Sequence, residues 1–395
     1  MDFETAVSKR VLDWLPTRER SMGRLLANAE RIIHLGQGDV GFVTPDHVRE
    51  AAKRAIDEGK TGYTNLRDLR VAIADKLRAD NGIEADPDHE IVVSSGCHTI
   101  LFQLFATFVG PGDEVIMGTP GSYYLGNTLF QGGTPIEIPL REERAFRLDP
   151  DEIAAAITPR TKFIALTTPD GPVGAVQQRQ DLEKIAALAQ EHDLLVISDE
   201  IYEKINHDRT PHFSIAALPG MHERTITVNG FSKGYAMTGW RVGYAVVPRH
   251  LFSAMSKVNA LNTIWLNAPA QYAALEALRG SQEPIEAMNA EYTRRMKILV
   301  DGLNSIEGIS CLFPDATYYA FPNIMSFGVS SEEFAEHLFL TESVLVQAGT
   351  VFGSGGEGYI RTSCSAPEEE FCAGLEGLAR AVRRLREEGL TRAEE

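Results

Sequence analysis

The chain is short of cysteine, short of basic residues and free of long apolar runs, and each shortage removes a class of protein. Its four cysteines, Cys97, Cys311, Cys364 and Cys372, show neither paired metal-ligand spacing nor a disulfide framework, so they are expected to be reduced. Lys and Arg number 38 against 55 Asp and Glu, and the resulting charge of -17 speaks against nucleic acid as a partner. The ten histidines carry no HxxxH or comparable spacing, so no metal is expected. No apolar stretch nears the ~20 residues a membrane helix needs. The opening MDFETAVSKRVLDW lacks the basic-then-apolar pattern of a signal peptide. A cytoplasmic protein without membrane contact is the expectation.

What is present is ample for folding. A chain of 395 residues with 44% apolar content can build a large domain and a smaller one. Strand-like and helix-like segments alternate from about residue 45 to about 290, the pattern of an α/β chain with a mostly parallel sheet. Thr44 and Pro45 are expected to cap a helix bearing Val48, Ala51, Ala52 and Ala55 on one face. Further amphipathic helices are expected at 66–78 and 181–192, then at 291–303 and 368–387. The expected division is a large domain at 46–288, with an N-terminal arm (1–45) and residues 289–395 forming a small α+β domain.

The chemistry concentrates in NGFSKGYAMTGWRVGY, Asn229 to Tyr244. An apolar run, Thr225 to Val228, delivers Lys233 into a Gly/Ser turn, and Arg241 precedes a second strand-like run. A lysine amine can condense with a carbonyl when it is partly desolvated in an electropositive setting. Arg241 adds positive charge and can grip a phosphate through two parallel N–H bonds. A lysine in a turn is more often a solvated surface charge, so the flanking pattern has to carry the case. LLVISDEIYEKI ends a buried-strand run at Asp199, and ligands of open α/β sheets sit at carboxyl ends of strands. SSGCHTILFQLF reads as strand end, glycine, then helix, and a helix start can hold a phosphate. Gly96, Cys97 and His98 are the candidates there.

Together these segments resemble the fold-type I pyridoxal-phosphate (PLP) enzymes, the aspartate aminotransferase-like class I and II aminotransferases. The resemblance implies a large PLP-binding domain with a mostly parallel seven-stranded sheet. It implies that Lys233 forms the Schiff base, Ser232 and Arg241 bind the cofactor phosphate, Asp199 pairs with the pyridine nitrogen and Tyr202 meets the ring oxygen. It places Tyr63, in GKTGYTN, at the phosphate of a neighbouring subunit, so a homodimer with shared sites is implied. Arg361, in GYIRTSCS, is implied to take the α-carboxylate of a small-molecule amino-acid substrate, and Gly38, in LGQGDVGF, lies in the substrate loop.

Several positions depart from that pattern. Gly171, in TTPDGPVGAV, stands where the family carries an asparagine that contacts ring oxygen and substrate carboxylate. Gly230 replaces a serine three residues before the lysine, and the loop after Tyr63 is shortened to YTNLRDLR. In TPGSYYLG, Ser122 holds the register of the ring-stacking aromatic, with Tyr123 and Tyr124 beside it. Val40 and Gly41 replace a Pro-Asp pair. The expected reaction is amino transfer between an amino acid and a 2-oxo acid. The alternative is another PLP reaction at Cα, Cβ or Cγ: elimination, replacement, C–C bond formation or oxidation. A catalytically silent regulator ranks last, because regulators of this kind carry an added DNA-binding domain.

Overall fold

The computed structural model describes residues 6–8, 11, 32–121, 123–207 and 210–392. Most of the expected N-terminal arm, and Ser122, lie outside the described residues. In chain order the strands are β1 (Ile33–His34), β2 (Ile91–Ser94), β3 (Glu114–Thr119), β4 (Thr134–Pro139), β5 (Thr161–Thr167), β6 (Leu195–Asp199), β7 (Thr225–Gly230), β8 (Gly243–Val246), β9 (Tyr319–Ala320), β10 (Val344–Leu345), β11 (Gln347–Ala348) and β12 (Ile360–Ser363). The α-helices are α1 (Asp46–Asp57), α2 (Arg67–Lys76), α3 (Cys97–Phe108), α4 (Tyr124–Phe130), α5 (Pro150–Ala156), α6 (Arg179–Glu191), α7 (Arg249–Asn262), α8 (Ala268–Arg279), α9 (Glu283–Asn304), α10 (Ser331–Glu342) and α11 (Glu368–Glu388).

Seven strands form one sheet in the order β2-β8-β7-β6-β5-β3-β4, parallel except for β8. The central strands are apolar on both sides because helices cover both faces. Phe163 and Ala165 of β5 join Leu101, Leu104 and Phe105 of α3, while Ile164 and Leu166 join Leu182, Ile185 and Ala189 of α6. That alternation is the two-residue period of a strand. Since β8 runs antiparallel to both neighbours, β2 and β7 point the same way, and Ser94 and Gly230 both pair with Gly243. Thr167 pairs with Asp199 on the same edge of the sheet. The segments that follow Ser94, Thr167, Asp199 and Gly230 therefore leave one edge together, which is where such sheets place ligands.

A second block packs against that edge. β1 pairs with β10, β11-β12-β9 form a small antiparallel sheet, and α9, α10 and α11 cover them. Its apolar core includes Leu35, Tyr292, Leu299, Phe334, Leu338 and Phe371, and it also takes in Ile201 and Tyr202 from the turn after β6. No helix among the described residues is long and apolar enough to cross a membrane.

Local differences from the sequence reading have physical causes. Val48, Ala51, Ala52 and Ala55 are the buried face of α1, but Thr44 does not cap it. Its hydroxyl donates to Ala236 O at 2.5 Å and accepts from Trp240 Nε1 at 2.9 Å, tying the lysine loop to α1. α9 begins at Glu283, earlier than expected, with a proline in its first turn, where the missing N–H costs nothing. Arg361 is the second residue of β12.

Gly230 has a packing reason. A Cβ there would lie 2.9 Å from Gly243 Cα, 3.0 Å from Val242 O and 3.1 Å from Cys97 Sγ. The position requires glycine because β8 and the start of α3 close onto β7, so no side chain at 230 could reach a phosphate without parting them. Gly230→Ser should lower apoprotein stability by about 1–3 kcal/mol through overpacking; an unchanged denaturant midpoint would refute this account.

Candidate active site

Five loops at the sheet edge, with the Gly38 loop, line a cavity of roughly 460 Å³. Gly38, Cys97, His98, Tyr123, Gly171, Asp199, Tyr202, Ser232, Lys233 and Arg241 line it, so ten residues singled out from sequence meet in one place. Lys233 stands in a turn closed by Met237 N donating to Ser232 O at 3.2 Å and Ala236 N to Lys233 O at 3.3 Å. Its Nζ donates to Gly38 O at 2.8 Å and to the Tyr318 hydroxyl at 2.9 Å.

Asp199 is 5% exposed, and its Oδ1 accepts from Ile201 N at 3.1 Å. Burial pushes its carboxyl up to about 7, which the Ile201 bond only partly opposes. The turn carrying Tyr202 is pinned from below. Glu200 accepts from Ser198 Oγ (2.8 Å), Ser214 Oγ (2.6 Å), Asn81 Nδ2 (3.2 Å) and His212 Nε2 (3.1 Å). Lys76 pairs with Glu203 in the same cluster. Glu200, Glu203 and His212 lie close enough to share a cation, and the Lys76 ammonium supplies the positive charge there.

The opposite wall is cationic. Arg241 ends a short turn (Thr238–Trp240) in the left-handed region, φ 56°, and its Nη1 donates to Thr238 O at 2.8 Å. Gly96, φ 86°, precedes α3, and a Cβ on it would lie 2.5 Å from Arg241 Nη2. Only glycine lets the guanidinium lie against the helix start, where backbone N–H groups and the helix dipole already favour an anion. Burial and the charges of Arg241 and Lys233 hold His98 below the usual histidine range. Its ring packs edge-on to Tyr123, centroids 3.9 Å apart.

Two open points of the sequence reading take definite form. Tyr124 is buried and donates to Leu166 O at 2.7 Å, so it belongs to the core, whereas Tyr123 lines the cavity. At Gly171 a Cβ would lie 3.2 Å from Tyr202 Cε2 and 3.4 Å from Tyr319 Cε2. The two rings border the point where a side chain would begin. Arg361 lies behind Tyr319, its guanidinium 4.3 Å from that ring's centroid, and its Nη2 donates to Gly36 O at 2.8 Å. Arg361 Nε is buried without a hydrogen-bond partner. Tyr63 is outside this cavity, 84% exposed and stacked on Trp265 at 6.1 Å.

Sequence reasoning missed Tyr318, Tyr319, Asp39 and Thr238. Asp39 accepts from Thr238 Oγ1 and Val40 N, both at 2.8 Å, which fixes the Gly38 loop to the lysine loop. The tyrosines come from ATYYAF. Neighbours in a strand point to opposite faces, but Thr317 at φ 70° and a two-residue β9 let both hydroxyls approach Gly38 O, at 2.9 and 3.4 Å. The adjacent tyrosines were the only sequence signal.

These donors fit pyridoxal phosphate. A buried carboxylate without a full cationic partner suits a pyridinium, the Gly96–Arg241 cradle suits a phosphate, and Lys233 opens onto the same cavity. Such a site, at the edge of a mostly parallel sheet, fits a cofactor enzyme of the α/β class. The model for aminotransferase classes I and II matches residues 30–377. An aspartate aminotransferase of Pyrococcus abyssi is 41% identical over 95% of this chain and 97% of that protein. An aromatic-amino-acid aminotransferase of Thermococcus litoralis is 38% identical over 96% and 98%. The crystal structure of an aromatic aminotransferase from Pyrococcus horikoshii superposes with a TM-score of 0.88 at 40% identity, covering 93% of this chain and 100% of that one. The chain belongs to the class I and II aminotransferase family and is a PLP-dependent aminotransferase.

Asp199 generates a pH prediction. An acid raised from 3.8 to about 7 keeps its proton in the folded chain where the unfolded chain has lost it. The stability this group contributes is full below about pH 4 and is lost as pH rises through about 7. Asp199→Asn removes that dependence. The variant apoprotein should gain melting temperature over the parent at pH 8 relative to pH 5; an equal offset at both pH values would show that burial does not govern this carboxylate.

Proposed function

We propose that Lys233 anchors the cofactor and then carries the proton in amino transfer between an α-amino acid and a 2-oxo acid. The observation that carries this reading is the placement of Lys233 Nζ in a cavity shared with the buried Asp199 and with Arg241. When bound, pyridoxal phosphate supplies an electron sink for the bond broken at Cα. Asp199 holds the proton of the ring nitrogen, Tyr202 donates to the ring oxygen, and Arg241, Ser232 and the N–H groups after Gly96 hold the phosphate. Arg361 forks onto the substrate carboxylate; its Nη2 lies beside the cavity-lining Gly38, 3.9 Å from where a Cβ there would stand.

The cavity supports an uncharged substrate side chain. Among the described lining residues the permanent cations are Lys233 and Arg241, both committed to the cofactor, and Tyr123, His98 and Tyr202 supply aromatic surface. An aromatic or apolar amino acid is the proposed donor. The division into a large domain at 46–288 and a small one that borders the cavity also belongs to this reading, since Gly38 and Tyr318 reach Lys233 from the small-domain side.

The active unit is proposed to be a homodimer. Tyr63, Leu261 and Ile264 are 84%, 83% and 68% exposed, and Trp265 stacks on Tyr63, an apolar group of the kind that a partner surface covers. In that arrangement Tyr63 serves the partner's phosphate.

Two experiments test these statements. Borohydride should fix the cofactor to the Lys233 peptide. With tyrosine or phenylalanine the holoenzyme should convert stoichiometrically to the pyridoxamine form and need a 2-oxo acid to recycle, turning over at least tenfold faster than with aspartate. Ammonia release or oxygen uptake without a 2-oxo acid would support the alternative chemistry, and preference for aspartate would remove the substrate assignment. In the second, inactive Lys233→Ala and inactive Tyr63→Phe subunits are mixed. An equimolar mixture should regain up to about one quarter of parental activity, because about half of the dimers are then heterodimers and one of their two sites is intact; subunit exchange without recovery would exclude a shared site.

A further inference from the structure

We propose that Tyr318 is a positioning residue that aims the lone pair of the freed Lys233 amine at the substrate. This rests on the reading above, in which Lys233 carries the Cα proton.

Tyr318 is fully buried in the apolar core between the two blocks, with ring centroids 4.5 Å from Tyr319, 5.3 Å from Tyr292 and 6.0 Å from Tyr202. A hydroxyl in such surroundings is costly unless it is bonded. Its bonds go to the lysine and to the loop facing it: the oxygen accepts from Lys233 Nζ at 2.9 Å and donates to Gly38 O at 2.9 Å. Nζ itself donates to Gly38 O at 2.8 Å. The three polar atoms form a closed triangle. Gly38 is held in turn, since Asp39 is tied to Thr238 and Val40 O accepts from the Tyr292 hydroxyl.

A neutral amine has two N–H bonds and one lone pair. Here both N–H bonds are spent on Gly38 O and Tyr318 Oη, so the lone pair is the group left over, and Lys233 faces the cavity that Asp199 and Gly171 also line. Rotating Nζ away would break both hydrogen bonds at once. The proton step then balances simply. The Cα–H bond of the amino acid breaks, its electron pair stays with the substrate, and the proton forms a third N–H bond on Nζ. Two N–H bonds of the resulting ammonium remain on Gly38 O and Tyr318 Oη. The third, from the substrate, points into the site and is the one available for return, and no oxidant or further reactant is required.

The test is Tyr318→Phe, which removes one oxygen from a packed ring; Tyr318→Met, which fills the space without a hydroxyl, repeats it should the first variant fail to fold. With either variant, kcat should fall roughly 10–100-fold, the size expected when a catalytic group is misaimed. KM should change less than about threefold, and the isotope effect of Cα-deuterated substrate on kcat should rise as proton transfer becomes limiting. In crystals of the cofactor-free variant, Lys233 Nζ should occupy more than one position. Unchanged kcat overturns the proposal, and so does a lower kcat with an unchanged isotope effect and Nζ still fixed at Gly38. Lys233→Ala separates the two levels: if it remains active, the role of Lys233 fails, whereas an inactive Lys233→Ala beside a fully active Tyr318→Phe removes only the role of Tyr318.

Discussion

A carboxylate buried at the end of a central strand is the constraint around which the site is arranged. Asp199 loses hydration on folding, and the Ile201 N–H bond does not offset it, so the chain alone drives this acid toward its protonated form. A cation delivered to that spot reverses the balance. The protein thus carries a local cost that a cationic cofactor ring paired with Asp199, as proposed, would remove, which would link stability to function at one residue. The Glu200 network keeps the turn from relaxing toward water, because shifting Asp199 would break the bonds that Ser198, Ser214, Asn81 and His212 make to the next residue.

The sheet and the main site residues were legible in the sequence because each rests on a local signal. The buried strands announced themselves as apolar runs, and those runs end at Asp199 and just before Lys233. The strand-glycine-helix order at Ser94 to Cys97 marked the start of α3, where Gly96 faces Arg241. What stayed hidden depends on contacts remote in the chain. Tyr318 and Tyr319 meet Lys233 and Gly38 across 85 and 281 residues, and no spacing rule reports such a meeting. Thr44 was misread for the same reason: its partners, Ala236 and Trp240, are 192 and 196 residues away.

The two glycines that depart from the family pattern separate once space is considered. At Gly230 the backbone of β8 stands where a side chain would begin, so the sheet itself demands glycine. At Gly171 the neighbours are side chains, Tyr202 and Tyr319. The space beside this glycine is bordered by hydroxyl-bearing rings: Tyr202 donates to the Tyr319 hydroxyl at 3.4 Å.

This arrangement bears on how the site is tuned. Burial favours the un-ionised form of Tyr319, but the charges of Lys233 and Arg361 outweigh it and hold the hydroxyl below the usual tyrosine range. Tyr202 and Tyr318 are driven the other way, first by burial and then by the charge that Tyr319 can carry. The Tyr202 hydroxyl donates to Tyr319 at 3.4 Å, while the Tyr318 hydroxyl, given to Gly38 O, stands 3.5 Å from the Tyr319 oxygen as an acceptor. An amide at 171 would offer donors and acceptors fixed to one side chain. The hydroxyls instead form a chain from Tyr202 through Tyr319 to Tyr318, which bonds Lys233. The departure at Gly171 is therefore consistent with retained amino transfer, because the hydroxyls that border its space connect Tyr202 to the residue that holds the lysine.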